Sequence, residues 1–222
     1  MESPSYFGLD SEGPLDTRSL SWARELLSNA TYLRTGESLL RIYYHWRVST
    51  YEGDDCAYNI LVGMQNGLWV PRVEVDVRLN ATDPPQPGYA AHTADRNGNA
   101  LGISVDAMLD AEPGSFGDYP VQWHLAEMMC AAGAAMGAAY GIDCADPDKV
   151  MTHAEVAILD RYFPGDLEQD GFPESGPPYR WDWALFAPDS LSKVVAIGCG
   201  NVLRRRTHLY KQALSIPAGG AS

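Results

Sequence analysis

Asn66 and Gly67 stand between two apolar runs, in the stretch "AYNILVGMQNGLWVPRVEV", residues 57–75. Asn-Gly tolerates positive φ, which a tight β-hairpin turn requires. The two strands joined by such a turn run antiparallel, so a sheet containing them is not purely parallel. Two more runs have strand character: the β-branched and aromatic "RIYYHWRVS", 41–49, and "ALGISVDAML", 100–109, which follows the Asn/Gly-rich "RNGN". Helical patterns are interspersed. "SLSWARELLSNATYL", 19–33, can place Trp22, Leu26, Leu27 and Leu33 on one side, and Gly36 stops it. Residues 120–140 read as a buried Ala/Gly-rich helix ended by Gly141. A last helix spans 190–214, with Leu191, Val194, Val195, Val202, Leu203, Leu209 and Tyr210 repeating at three, four and seven.

Strands mixed with helices in one layer system predict an α/β domain: a central mixed β-sheet flanked by helices. Residues 1–36 are expected to form an N-terminal extension whose helix packs on the core. Residues 37–222 form the main domain. Residues 160–179 hold four prolines and three glycines and read as a long loop.

Composition excludes some functions. The 222 residues carry 29 acidic and 16 basic side chains, a formal net charge of -13. Phosphate binding needs a basic surface, so nucleic acid is not expected as a partner. The most apolar window, 125–140, is too short to span a bilayer. "MESPSYFGLD" has neither a basic stretch nor an apolar run, so no signal peptide is expected. Cys56, Cys130, Cys144 and Cys199 form no C-x-x-C pair and read as isolated buried thiols.

Five histidines occur: His45, His92, His124, His153 and His208. His45 lies inside a strand of Ile, Tyr and Trp. His153 follows a short apolar stretch in "VMTHAEVA", which begins as a short strand or turn. Further on, "PYRWDWALF", 178–186, sets an acid among aromatics, where an unpaired charge would be costly to bury. Asp182 is then exposed, paired with Arg180, or a metal ligand. Two histidines, one late carboxylate and one water are the composition of a catalytic zinc site.

Four segments, in order, carry a resemblance. "RIYYHWRVS", "AYNILVGMQNGLWV", "AAHTADRNGNALGISV" and "THAEVA" followed by "RWD" resemble the zinc-dependent N-acetylmuramoyl-L-alanine amidases. That family shares its fold with the peptidoglycan recognition proteins and includes short phage endolysins. The resemblance covers roughly residues 40–186. It implies a single amidase-like domain with one Zn2+ per chain on His45, His153 and Asp182. Tyr58 and Arg180 become the catalytic side chains, and His92 and Asn99 substrate contacts. Glu155 is expected to support His153. The substrate implied is peptidoglycan or a muropeptide, cut between N-acetylmuramic acid and L-alanine.

The chain also departs from the family. Twelve residues separate His45 from Tyr58, so the usual intervening helix is lost or replaced, with 19–33 as the substitute. Arg180 stands where a lysine is usual. Ser104 stands where many members carry a glutamate, which leaves Tyr58 as the titratable helper.

The resemblance further implies a phage or prophage endolysin, held in the host cytoplasm until a holin releases it, or carried on the virion. A non-catalytic binding module of the same fold and a cytoplasmic muropeptide-recycling amidase are the alternatives. Arg204, Arg205, Arg206 and Lys211 gather on the last helix, as a solvated face or as a weak contact for anionic envelope lipid. Oligomeric state is not legible.

Overall fold

The computed structural model describes residues 11–29, 39–53, 57–93, 95–111, 115–161, 182–183 and 192–216. In chain order these hold α1 (Thr17–Asn29), β1 (Arg41–Ser49), β2 (Ile60–Gln65), β3 (Leu68–Val73), β4 (Ala100–Met108), α2 (Trp123–Tyr140), β5 (Val150–Thr152), α3 (His153–Asp160) and α4 (Lys193–Leu214). The strands form one sheet in the order β3-β2-β4-β1-β5. β1 pairs in parallel with β4 and β5, and β2 pairs in parallel with β4. β2 and β3 are the antiparallel hairpin, closed at Asn66 and Gly67 with φ of 52° and 75°. The protein is therefore α/β with a mixed five-stranded sheet flanked by helices.

Alternation along each strand separates two faces. Ile42, Tyr44 and Trp46 of β1 and Leu101, Ile103, Val105 and Ala107 of β4 point into the main core. There α2 packs on the sheet, and α1 and α4 pack on α2. Nearly every side chain of α2 from Leu125 to Gly137 is buried, so it has no polar stripe. Its glycines admit close neighbours. A Cβ on Gly133 would come within 1.9 Å of the Tyr44 hydroxyl, which bonds to the Thr207 hydroxyl at 2.7 Å. Tyr43, Ala100, Met151 and Val156 form a smaller cluster on the other face. That face carries the site.

Several boundaries differ from the sequence reading. α1 runs Thr17–Asn29, and residues 30–38 lie outside the described ones. α2 starts at Trp123, three residues after Pro120, and stops at Gly141 in the left-handed region, φ 70°. The stretch expected as a strand or turn at His153 is a three-residue strand followed at once by α3. α4 begins at Lys193, and Leu191 lies outside the described residues. The long loop assigned to 160–179 falls, from residue 162 on, outside the described residues.

The basic face expected on α4 is a correction. Arg204 and Arg206 are buried, 5% and 1% exposed. Arg206 ion-pairs with Glu127 of α2 and donates to the carbonyls of Gly13 and Pro14 at 2.7 and 3.1 Å. Glu127 also accepts from the Tyr210 hydroxyl. Two residues apart on a helix, Arg204 and Arg206 diverge by about half a turn, yet both are enclosed because α4 is packed on several sides. Arg205 is exposed and pairs with Glu12, at 2.8 Å. Lys211 donates to the Ile142 carbonyl. The four cations are thus mostly spent inside the fold. Cys130, Cys144 and Cys199 are buried free thiols, and Cys56 lies outside the described residues. Among the described residues, no helix is long and apolar enough to cross a membrane.

Candidate metal centre

His45 shares the second face with Tyr43, because residues two apart in a strand point the same way. In the adjacent strand its register partner is Ser104. On the other side, β5 ends at Thr152, paired with Tyr44. The next residue, His153, opens α3. Thr152 caps that helix: its hydroxyl accepts from the Glu155 N–H at 3.2 Å, and the Glu155 carboxylate accepts from the Thr152 N–H at 2.9 Å. This reciprocal capping box fixes where α3 begins, and so fixes His153 at its first position.

Asp182 comes from a distant part of the chain. Its carbonyl accepts from the Ala154 N–H at 3.1 Å. The adjoining Trp183 is fully buried, its ring 5.6 Å from that of Trp46. Trp183 has φ 69°, an uncommon conformation for a bulky residue, held by the surrounding core. Trp183 thus packs into the core while Asp182 faces the histidines. Trp181 and Arg180 lie outside the described residues.

His45, His153 and Asp182 each offer a ligand atom within 4.8 Å of the others. Oδ2 of Asp182 lies 3.2 Å from Nδ1 of His45 and 3.2 Å from Nδ1 of His153. His45 is fully buried and Asp182 is 8% exposed. Such a cluster can hold a metal ion.

The surrounding hydrogen bonds test whether it suits one. Nε2 of His92 lies 3.4 Å from the Ala100 carbonyl, which only accepts, so Nε2 carries the proton. Burial, with the neighbouring His45, pushes His92 well below the usual histidine range, so the ring is neutral and its Nδ1 is an acceptor. Nδ1 therefore receives the Thr93 hydroxyl at 3.0 Å. The Thr93 oxygen is then left to accept, at 3.3 Å, from Nε2–H of His45. Burial lowers His45 to about 4 despite the neighbouring Asp182 carboxylate, so this ring too is neutral. Its Nδ1 consequently carries a bare lone pair 3.2 Å from a carboxylate oxygen. Two acceptors facing each other in a buried site call for a cation between them. Neutral imidazole with its far nitrogen hydrogen-bonded is also the form that ligates metals.

Burial alone would raise the Asp182 carboxyl, but the neighbouring His153, with a smaller contribution from His45, outweighs it and holds it below the usual range. Nε2 of His153 is buried and has no hydrogen-bond partner among the described residues. Two imidazoles and one carboxylate are a donor set that could hold a metal ion.

The remaining candidates are distributed around this cluster. Tyr58 is half-buried with its ring 5.2 Å from His45. His92 is 5.5 Å from His45, but both of its nitrogens are used inside the protein. It lies on the backbone of Gly102, where a Cβ would come within 2.3 Å of the imidazole. It stands beside His45, linked to it through Thr93. Asn99, at φ 52°, joins the loop to β4, its carbonyl accepting from the Leu40 N–H at 2.9 Å. Glu155 holds the start of α3 and has no bond to the His153 ring among the described residues. His208 bonds to Gln212, and His124 stacks near Trp69. Thr93 was missed by sequence reasoning. Nothing in "AHTADR" marks that threonine as the link between two rings.

Comparison with known proteins returns no matching family model, no matching curated protein and no matching solved structure.

Proposed function

We propose that this chain is a zinc-dependent hydrolase of the N-acetylmuramoyl-L-alanine amidase type, acting on peptidoglycan or muropeptides. The observation that carries the reading is the bare Nδ1 of His45 facing the Asp182 carboxylate at 3.2 Å, with His153 completing the donor set. The amidase assignment itself rests on the order of the four resembling segments. Tyr58 supports it, since it stands beside His45 where that family's phage-type members use a tyrosine.

Zinc held by His45, His153 and Asp182 would polarise the scissile carbonyl and lower the pKa of a bound water toward ~7. Thr93 and His92 keep the His45 ring oriented. The hydroxyl of Tyr58 would orient the attacking water or protonate the leaving nitrogen. Ser104, at the register position of His45, has no acid–base capacity near neutral pH, and its hydroxyl turns to the Val105 carbonyl at 3.4 Å. Arg180 would stabilise the oxyanion. It stays protonated, so it cannot also relay a proton. On this reading the protein is a lysis enzyme of phage or prophage.

Digestion of purified sacculi, followed by mass spectrometry of the products, tests the proposal. Free stem peptides with an intact L-alanine amine, released only without a chelator, are the expected result. Products cut within the glycan or within the peptide would refute the amidase assignment.

A further inference from the structure

The capping box that sets His153 in place does not stand alone. The Glu155 carboxylate, 11% exposed, is gripped from the far side by Arg204 of α4. Nη1 of Arg204 donates to Oε2 at 2.8 Å, and Nη2 lies 2.7 Å from Oε1, a two-point pairing. The same Nη1 donates to the Val150 carbonyl on β5 at 3.0 Å, and Nη2 donates to Oδ1 of Asn201 at 2.6 Å. One guanidinium therefore holds both the strand that precedes His153 and the residue that caps its helix. Gly200 makes room for this. A Cβ there would come within 2.1–2.2 Å of the Glu155 carboxylate atoms.

We infer that Arg204, through Glu155, is a positioning residue for the metal centre, so that α4 sets the geometry of ligands it does not touch. The inference rests on the metal-centre reading above. Its chain of contacts is continuous: Arg204 to Glu155, Glu155 to the Thr152 N–H, and then the first turn of α3. That turn carries His153 as its first residue and holds the Asp182 carbonyl through Ala154. Two of the three ligands thus depend on where this turn sits. Arg204 is suited to the task and lysine is not, because a single ammonium cannot bridge both carboxylate oxygens and the Val150 carbonyl in a fixed fork. The bonds are also shielded from solvent, so salt will not weaken them as it weakens surface pairs.

The test uses the full chain and zinc alone as the probe. Zinc affinity is measured by competition with a chromophoric chelator, and site geometry by the visible spectrum of the cobalt-loaded protein. Wild type, Arg204→Met, Arg204→Lys and Gly200→Ala are compared, each first checked for native circular dichroism. Gly200→Ala favours the helix intrinsically while pushing on Glu155, so it separates folding from positioning, and it carries the test if Arg204→Met does not fold. Arg204→Met and Gly200→Ala are expected to bind zinc about 10–100-fold more weakly, with an altered cobalt spectrum, and Arg204→Lys to fall between. Tight zinc binding in wild type with unchanged affinity and spectrum in the folded variants overturns the positioning role. Absence of zinc binding in wild type itself overturns the metal-centre reading, and the positioning role with it.

Discussion

The backbone N–H of Ala154 donates to the carbonyl of Asp182 across 3.1 Å, joining two residues 28 positions apart in the chain. The first turn of α3 therefore supplies one candidate ligand by side chain, His153, and anchors another, Asp182, by main chain. The third, His45, is fixed from a different direction, by the sheet and by Thr93. A strand and a helix hold the two histidines, and the helix also anchors the Asp182 main chain, which suits a metal site whose ligands must be closely placed.

Thr93→Val keeps the shape of the side chain and removes its hydroxyl. His45 Nε2–H and His92 Nδ1 then lose their shared partner, and the His45 tautomer is no longer specified. Metal affinity should fall about 10–100-fold. Loss of the hydrogen bonds should cost about 1–3 kcal/mol of stability, because the groups left behind are buried. Chelator competition and thermal melting check the two effects separately. Unchanged metal affinity would remove Thr93 from the site.

Tyr58→Phe should leave zinc content and melting temperature close to wild type while lowering muropeptide hydrolysis by about 100-fold or more, the usual scale for a lost general acid or base. The motive is the 5.2 Å ring separation from His45 and the serine at position 104. Steady-state assays on a defined muropeptide decide it. Near-normal turnover would exclude the Tyr58 hydroxyl from the reaction.

Much of this was legible in the sequence, for identifiable reasons. The hairpin followed from Asn66-Gly67, whose backbone conformation few other pairs accept. His45, His153 and Asp182 were singled out together because two histidines and a late carboxylate match the composition of a metal site and fall in the order of the resembling segments, and the structure brings them into one cluster that could hold a metal ion. α3 was overlooked although "THAE" spells its capping box, because an eight-residue helix leaves too little periodicity to stand out. The arginines of α4 misled for a different reason. A run of three on an amphipathic helix looks like a solvated face, and only the tertiary packing reveals Glu127 and Glu155 waiting for Arg206 and Arg204. Thr93 and His92 were invisible as a relay because their role depends on the Ala100 carbonyl and on the bare backbone of Gly102, neither of which has a sequence signature.

A second buried carboxylate gives a pH prediction independent of the metal. Asp106 is fully buried on β4, and Arg72 and Arg47 lie 3.4 and 3.8 Å away. Burial pushes its carboxyl up to about 6, with both arginines and Ser49 pulling it part of the way back. A carboxyl in the unfolded chain titrates near ~4. The folded state thus binds this proton more tightly, so the contribution to stability is full below pH ~4 and is lost as pH rises through about 6. The loss is at most about 3 kcal/mol. Asp106→Asn cannot ionise and should lack this component. As pH rises from 4 to 7 the wild type should therefore lose melting temperature relative to Asp106→Asn. Parallel curves would contradict the raised carboxyl.

Metal analysis of the purified protein beside Asp182→Ala tests the central claim most directly. The account predicts one zinc per chain in the wild type and a large loss of it in Asp182→Ala, with the fold retained by circular dichroism. A wild type that takes up no zinc, or an Asp182→Ala protein with the same stoichiometry and affinity, would contradict it.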